Sequence, residues 1–296
     1  MTDLIDILRQ HASPLEPIPT GIEPRLEPLP GIRAVIFDIY GTLYLSGAGG
    51  IDSSVSDMEC QALLKAGHLV GLRWETDGAN DLRLFHDLIR SHQNRRRADG
   101  IEWPEVEIRD VWRDWLRVMR ESLRLTSTCP DADLTEKLCL HFEGLAHPVW
   151  PAPGAAEAIA SLKKRGMTLG LVSNAQFYTP LLFPALLGAD SVSLGFREDL
   201  TIYSYRLREA KPSRRLYESA ATSLRQLGIL PKETLMIGND LRNDIAPAAA
   251  TGFRTALFAG DARSLRWHRY DPGTETILPD RILTDWSQLS FLLPTE

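Results

Sequence analysis

At 296 residues, with 44% apolar and 24% charged side chains, the chain is long enough to bury one large core or two. A net charge of -6 argues against a nucleic-acid partner held by electrostatics, and no uninterrupted apolar stretch approaches the roughly 18 residues of a membrane span. The acidic start lacks the apolar core of a leader, and Cys60, Cys129 and Cys139 fall in no Cys-x-x-Cys spacing. Both features lead to the expectation of free thiols in a reducing, cytoplasmic setting.

Residues 1–31 read as an N-terminal extension. A short helix is expected over 4–11, followed by Pro14, Pro17, Pro19, Pro24, Pro28 and Pro30, whose spacing forbids a helix and favours an extended strap. Ala34-Val35-Ile36-Phe37 is continuous, apolar and β-branched, as a strand covered on both faces must be, and Gly41-Thr42 breaks it. Asp38 therefore sits where a strand gives way to a loop, the place where open parallel sheets bind ligands. Taken alone, such an Asp is a turn cap. Ser46-Gly47-Ala48-Gly49-Gly50 lacks the Lys-Ser/Thr that follows a P-loop, so it reads as a flexible joint.

No good strand is expected over about 52–148. Amphipathic stretches are expected over 54–66, 81–94, 105–125 and 134–143, and Val106, Val111, Trp112, Trp115, Leu116 and Met119 recur at the helical spacing of a packed core. Arg95-Arg96-Arg97 has no aromatic neighbours and reads as a solvated surface. This segment interrupts the strand–helix alternation on either side, so it is read as an inserted helical module.

Alternation resumes with a helix over 155–165, a strand over 168–172 ending in Ser173-Asn174, and a helix over 180–187. A short strand over 202–204, Lys211-Pro212 and a helix over 213–227 follow. The strand 235–237 then delivers Gly238-Asn239-Asp240-Leu241-Arg242-Asn243-Asp244, and after a helix from 245 to Gly252 come strands 255–258 and 281–283 and a last helix over 286–292. The βαβα pattern points to a doubly wound, Rossmann-like parallel α/β sheet formed by 32–45 and 149–296, with 46–148 as a mainly helical cap.

Strand ends thus offer, in order, Asp38 with Thr42, Ser173 with Asn174, Lys211, and an acidic cluster of Asp240 and Asp244. One site built this way holds a nucleophile, donors for an oxyanion, a positive charge beside the nucleophile, and oxygen ligands for a cation. Each feature alone is a common turn, cap or Lys-Pro pair.

The segments Phe-Asp-Ile-Tyr-Gly-Thr-Leu, Leu-Val-Ser-Asn, Glu-Ala-Lys-Pro with Tyr217 downstream, and Ile-Gly-Asn-Asp-Leu-Arg-Asn-Asp resemble the signatures of the haloacid dehalogenase superfamily, over about residues 32–260. The resemblance implies that Asp38 is a nucleophile forming a covalent aspartyl intermediate. Thr42 and Ser173 would then hold the oxygens of the transferred group, and Lys211 would keep Asp38 ionised. Asn174, Tyr40 and Tyr217 would face the substrate. In the phosphatase branch Mg2+ would be bound by Asp38, the Tyr40 carbonyl, Asn239, Asp240 and Asp244.

Two departures bear on the reaction. Phosphatases of the superfamily usually carry a second Asp two residues after the nucleophile, whereas this chain has Tyr40, a poor base at neutral pH and a feature of the 2-haloacid dehalogenase branch. The acidic Asp240 and Asp244 resemble the phosphatases instead, although the usual first Asp of that motif is Asn239. Three functions follow as expectations: a magnesium-dependent phosphatase of a small metabolite, a 2-haloacid dehalogenase with Arg73 as carboxylate anchor, or a binding protein that has lost the acid. The substrate is expected to be a small molecule, with no nucleic acid and no membrane as partner.

Overall fold

The computed structural model describes residues 2–47, 56–73, 78–122, 124–125, 133–267 and 277–294. Residues 48–50 of the expected joint, residues 54–55 of the first expected cap helix, and Cys129 lie outside them. The central strand β1 (Ala34–Phe37) pairs in parallel with β4 (Thr168–Ser173) on one side and β6 (Thr234–Gly238) on the other. With β2 (Tyr44–Ser46), β3 (Val149–Pro151), β5 (Phe196–Tyr203), β7 (Arg254–Phe258) and β8 (Arg281–Leu283), the described strands form two sheets. The large sheet is all parallel, in the order β5-β4-β1-β6-β7-β8, and the small one is an antiparallel ribbon of β2 and β3. Successive residues of a strand face opposite sides. Val35 and Phe37 accordingly join one core cluster, while Ala34 and Ile36 join a second with Leu216, Ala220 and Leu224.

The helices are α1 (Thr2–His11), α2 (Asp57–Leu69), α3 (Ala79–Ala98), α4 (Ile108–Glu121), α5 (Leu134–Ala146), α6 (Ala155–Lys164), α7 (Thr179–Leu182), α8 (Ser191–Leu194), α9 (Ser204–Leu207), α10 (Arg214–Gln226), α11 (Ala246–Ala250) and α12 (Leu289–Leu292). Helices α2 to α5 lie in the chain between β2 and β3. Their core is the expected aromatic stripe: Trp112 and Trp115 of α4 are fully buried, with Phe85 4.2 Å and Phe142 5.4 Å from Trp112. Each buried tryptophan contributes roughly 4–6 kcal/mol of gross hydrophobic transfer. Neither Cys60 nor Cys139 forms a disulfide among the described residues.

Two elements differ from the sequence reading. The strand expected over 202–204 runs Phe196–Tyr203, because it is an edge strand whose Arg197, Glu198 and Asp199 face solvent and carry no apolar alternation. Ser204 instead opens α9. The helix expected over 180–187 starts as α7 and continues as a π-turn over Phe183–Leu187.

The N-terminal extension is an ordered strap. Helix α1 packs on α5 and α7, and Arg9 donates to the Pro184 and Ala185 carbonyls of the π-turn. Farther along, the Ile18 carbonyl accepts from Ala262 N (2.8 Å), Arg25 pairs in antiparallel fashion with Ile282 of β8, and Leu29 N donates to the Leu292 carbonyl (2.8 Å). No helix among the described residues is long and apolar enough to cross a membrane.

Candidate active site

Asp38 follows β1 directly, and its amide continues the ladder by donating to Ile237 O (2.9 Å). The chain then turns tightly, with Tyr44 N donating to Ile39 O and Gly41 N to Tyr44 O. Gly41 adopts φ +81°, and a Cβ there would meet Asn239 Nδ2 at 2.4 Å and Ser264 Cβ at 2.7 Å. Only glycine brings the nucleophile loop this close to the loop after β6.

The Asp38 carboxylate is 5% exposed. Its Oδ1 accepts from Ser173 Oγ (3.0 Å), at the end of the neighbouring β4, and from Lys211 Nζ (2.6 Å). Thr42 Oγ1 lies 3.4 Å from Oδ2 and donates to Asn239 Oδ1 at 3.1 Å. Lys211 Nζ also donates to Asp244 Oδ1 (2.6 Å) and Val172 O (3.2 Å), so a single buried ammonium spans two buried carboxylates. Burial alone would lower the Lys211 pKa. Asp244 and Asp38 overcome that and raise it. Asp244 is pushed up to about 7 by burial, with Lys211 pulling the other way and Asp38 and Asp240 adding to the rise.

The structure brings together Asp38, Thr42, Ser173, Lys211, Asn239 and Asp244 and turns other expected residues elsewhere. Tyr217 is buried with its hydroxyl on Asn243 O (2.7 Å), so it braces the acidic turn, which corrects the expectation of a substrate contact. Asn174 Oδ1 accepts from Lys211 N (2.8 Å) and positions the lysine. Asp240 caps the turn Leu241–Ile245: Oδ1 accepts from the amides of Arg242 and Asn243, and Oδ2 from Asn243 Nδ2. That commitment corrects its place among the metal ligands, since a capping carboxylate faces its own helix end. Asp244 is likewise taken, by Lys211 on one oxygen and Asp240 N on the other.

No group of three or more His, Cys, Asp or Glu side chains able to hold a metal occurs among the described residues. Asn239 Oδ1 and Asp38 Oδ2 nevertheless converge on Thr42 Oγ1 from 3.1 and 3.4 Å. Both are oxygen donors of the type magnesium takes beside substrate oxygens and water.

The Tyr40 hydroxyl shares a hydrogen bond with Thr179 Oγ1 (2.9 Å), and burial pushes its pKa further up, with Glu143, Tyr203 and Asp38 adding to the shift. It is no acid–base substitute for a carboxylate at neutral pH. Arg73 is exposed.

Two parts of the site went unread in the sequence. The loop after β7 reaches back, with Ser264 O accepting from Asn239 Nδ2 (2.6 Å) and Arg266 N donating to Asn239 O (3.0 Å). The strand-end rule that found Asp38 would have flagged its Asp261-Ala-Arg-Ser. The other part is a stitch between cap and core, in which Ala210 N donates to Trp103 O and Glu105 N to Arg208 O. There Ser204 Oγ donates to Glu105 Oε2 at 2.7 Å and accepts from Ala175 N at 2.9 Å, tying the cap to the loop that follows Ser173.

The haloacid dehalogenase-like hydrolase family model matches residues 32–252, three quarters of the chain and all of this constellation except Ser264 and Arg266. The chain belongs to that family. Solved structures similar to this haloacid dehalogenase-like hydrolase include a HAD phosphatase from Thermococcus onnurineus, at 17% identity and TM-score 0.51 over 88% of this chain and 96% of that one. Others are the L-2-haloacid dehalogenase from Xanthobacter autotrophicus with chloropropionic acid covalently bound (19%, 0.46, 87% and 96%) and a magnesium-bound HAD-hydrolase from Bacillus subtilis (17%, 0.49, 89% and 99%). At these identities the Thermococcus likeness speaks for the fold alone. No curated protein matches the chain.

Proposed function

We propose that this hydrolase cleaves a phosphomonoester of a small molecule through an aspartyl-phosphate intermediate on Asp38. The observation that carries the reading is the convergence of Ser173 Oγ, Lys211 Nζ and Thr42 Oγ1 on one buried carboxylate at a strand end. Lys211 keeps Asp38 ionised and ready to attack phosphorus, and offsets the negative charge that accumulates there. A carboxylate oxygen forms the bond to phosphorus as the bond to the leaving oxygen breaks. Water then hydrolyses the acyl phosphate, releasing phosphate and restoring Asp38. The hydroxyls of Ser173 and Thr42 hold the phosphoryl oxygens, a role worth about 10²–10³ in kcat per donor in comparable oxyanion sites. Asp38 and Asn239 would hold magnesium, which when bound supplies charge neutralisation at the phosphoryl group. With Tyr40 bound to Thr179, the leaving group departs unprotonated.

That last property also favours a second reading, hydrolytic dehalogenation, because a halide needs no proton. Arg73, the carboxylate anchor expected for it, is exposed. Turnover of acetyl phosphate and p-nitrophenyl phosphate with and without magnesium tests the first reading. Phosphate release that requires magnesium and vanishes in Asp38→Asn supports it. Halide release from 2-chloropropionate in EDTA, with no phosphate from either ester, replaces it with the second.

A further inference from the structure

The side-chain amide of Asn239 has a fixed sense. Its Nδ2 lies 2.6 Å from Ser264 O, and a carbonyl oxygen only accepts, so the nitrogen must face Ser264 and Oδ1 is left facing Thr42 Oγ1 at 3.1 Å. Thr42 Oγ1 in turn lies 3.4 Å from Asp38 Oδ2. Turned the other way, the amide would set oxygen against oxygen at Ser264 and withdraw its oxygen from beside the nucleophile. The Ser264 carbonyl therefore makes Asn239 an oxygen donor at this site.

A turn that begins at Asp261 holds that carbonyl in place. Ser264 N and Leu265 N donate to Asp261 O (3.2 and 3.0 Å), and Ser264 Oγ donates to Asp261 Oδ2 (3.3 Å). Beyond the turn, Arg266 N donates to Asn239 O and Leu241 N to Arg266 O, so the segment runs alongside Asn239. The other oxygen of Asp261 is given to the strap. Oδ1 accepts from the backbone amide of Ile18 (2.9 Å), Ala262 N donates to Ile18 O (2.8 Å), and Arg263 donates to Glu16 O. Asp261 is 2% exposed, and Arg263 Nε offsets its charge from 3.2 Å. A continuous run of contacts, none longer than 3.4 Å, thus joins the strap to Asp38 through Asp261, Ser264, Asn239 and Thr42. Neither Ile18 nor the Asp261 turn lies within the residues that match the family.

We infer that Asp261 is a positioning residue that makes the strap part of the active site: by holding Ile18 on one oxygen and Ser264 on the other, it fixes the carbonyl that aims the Asn239 oxygen at the nucleophile. The inference rests on the phosphatase reading above for one consequence, that the aimed oxygen is a donor to magnesium.

Three variants of the full chain test it. Asp261→Ala removes both grips, Ile18→Pro removes only the amide that Asp261 holds, and Thr20→Val removes a strap bond to Ala259 O (2.8 Å) that does not touch Asp261. One readout is hydrogen exchange of the Asn239 side-chain NH2, followed by NMR on protein labelled with 15N-asparagine and assigned by its loss in Asn239→Asp. The other is the Kd for Mg2+ by calorimetry. In the wild type the Asn239 amide exchanges slowly, and Asp261→Ala and Ile18→Pro each speed it about tenfold or more. Asp261→Ala weakens Mg2+ binding by about 10–100-fold, the usual cost of losing a contact behind a ligand. Asp261→Asn, which keeps an acceptor for Ile18 and a partner for Ser264, restores most of both, while Thr20→Val lowers the urea midpoint and moves neither. Should Asp261→Ala fail to fold, Ile18→Pro carries the test, since Ile18 is 47% exposed. Fast exchange in the wild type, an amide that neither variant releases, Mg2+ affinity that survives its release, or equal effects from Thr20→Val overturns the inference. Slow exchange that Asp261→Ala and Ile18→Pro abolish, in a protein that neither binds Mg2+ nor releases phosphate, leaves the positioning standing and the phosphatase reading wrong. Magnesium-dependent turnover with an amide unmoved by either variant is the reverse.

Discussion

Replacing Lys211 by Met would leave two buried carboxylates facing each other across the space their shared ammonium filled at 2.6 Å from each. Breaking a buried ion pair in this way costs about 3–5 kcal/mol. The protein can limit the loss by protonating Asp244, whose pKa burial already pushes up to about 7 with the lysine present. Holding a carboxyl neutral when its unfolded pKa is near 3.9 costs at most ~5.6 kcal/mol at pH 8 and ~2.2 kcal/mol at pH 5.5. The sign follows from the raised folded pKa: its stability contribution is present at low pH and lost as pH rises through the folded value. Lys211→Met is therefore expected to lose about 3–5 kcal/mol at pH 8 and no more than about 2 kcal/mol at pH 5.5. Urea unfolding at both pH values measures this, and the pH 8 loss corresponds to a melting temperature roughly 5–8 °C lower. Adding Asp244→Asn should recover most of the loss at pH 8. A loss of equal size at the two pH values, or a double variant no better than the single one, would refute the argument that the ammonium is the neutralising element of this site.

Gly41→Ala is expected to cost about 1–3 kcal/mol and to reduce turnover at least tenfold, because φ is +81° and the new methyl collides with Asn239; denaturant melts and kinetics check both. Ser204→Ala removes the one hydroxyl shared by Ala175 N and Glu105 and is expected to cost about 1–3 kcal/mol, with Ser204→Thr milder, as read by urea midpoint. The rings of His11 and His141 both resist protonation, His141 being held down to about 4, first by burial and then by His11. Folded pKa values below the unfolded 6.5 mean that stability is retained above that pH and lost as pH falls towards 4. A loss of about 1–2 kcal/mol between pH 7 and 5, absent in His11→Ala/His141→Phe, is expected from thermal melts.

Asp38, Ser173 and the Asn239–Asp244 turn were legible because each follows a buried strand, and a parallel sheet brings consecutive strand ends to one edge. Ser173 meets the nucleophile for that reason, Thr42 because it shares the nucleophile's loop, and Lys211 because the chain returns past α9 to the same sheet edge, a placement signalled only by its Lys-Pro motif. Which way a polar side chain turns after leaving the strand was not legible. Asp240 and Asp244 look equivalent in the sequence, yet one folds back to cap its own turn and the other pairs with Lys211. Tyr217 sits at helical spacing that could as well face the substrate, and only the packing of α10 against the acidic turn buries it. The edge strand β5 hid behind three charges, and the cap–core stitch at Glu105 joins residues 99 positions apart with no local pattern to announce it.

The strap sets an order on synthesis. Ile18, Arg25 and Leu29 find their partners at Ala262, Ile282 and Leu292, at the far end of the chain. Residues 18–29 thus have no place to lie until residues 262–292 are made, although α1 before them can already pack on α5 and α7, and the open edge of β8 is covered only then. A nascent chain carries this proline-rich stretch unpaired while more than two hundred residues between the partners are made, and closing so long a loop is a non-local contact that comes late in folding.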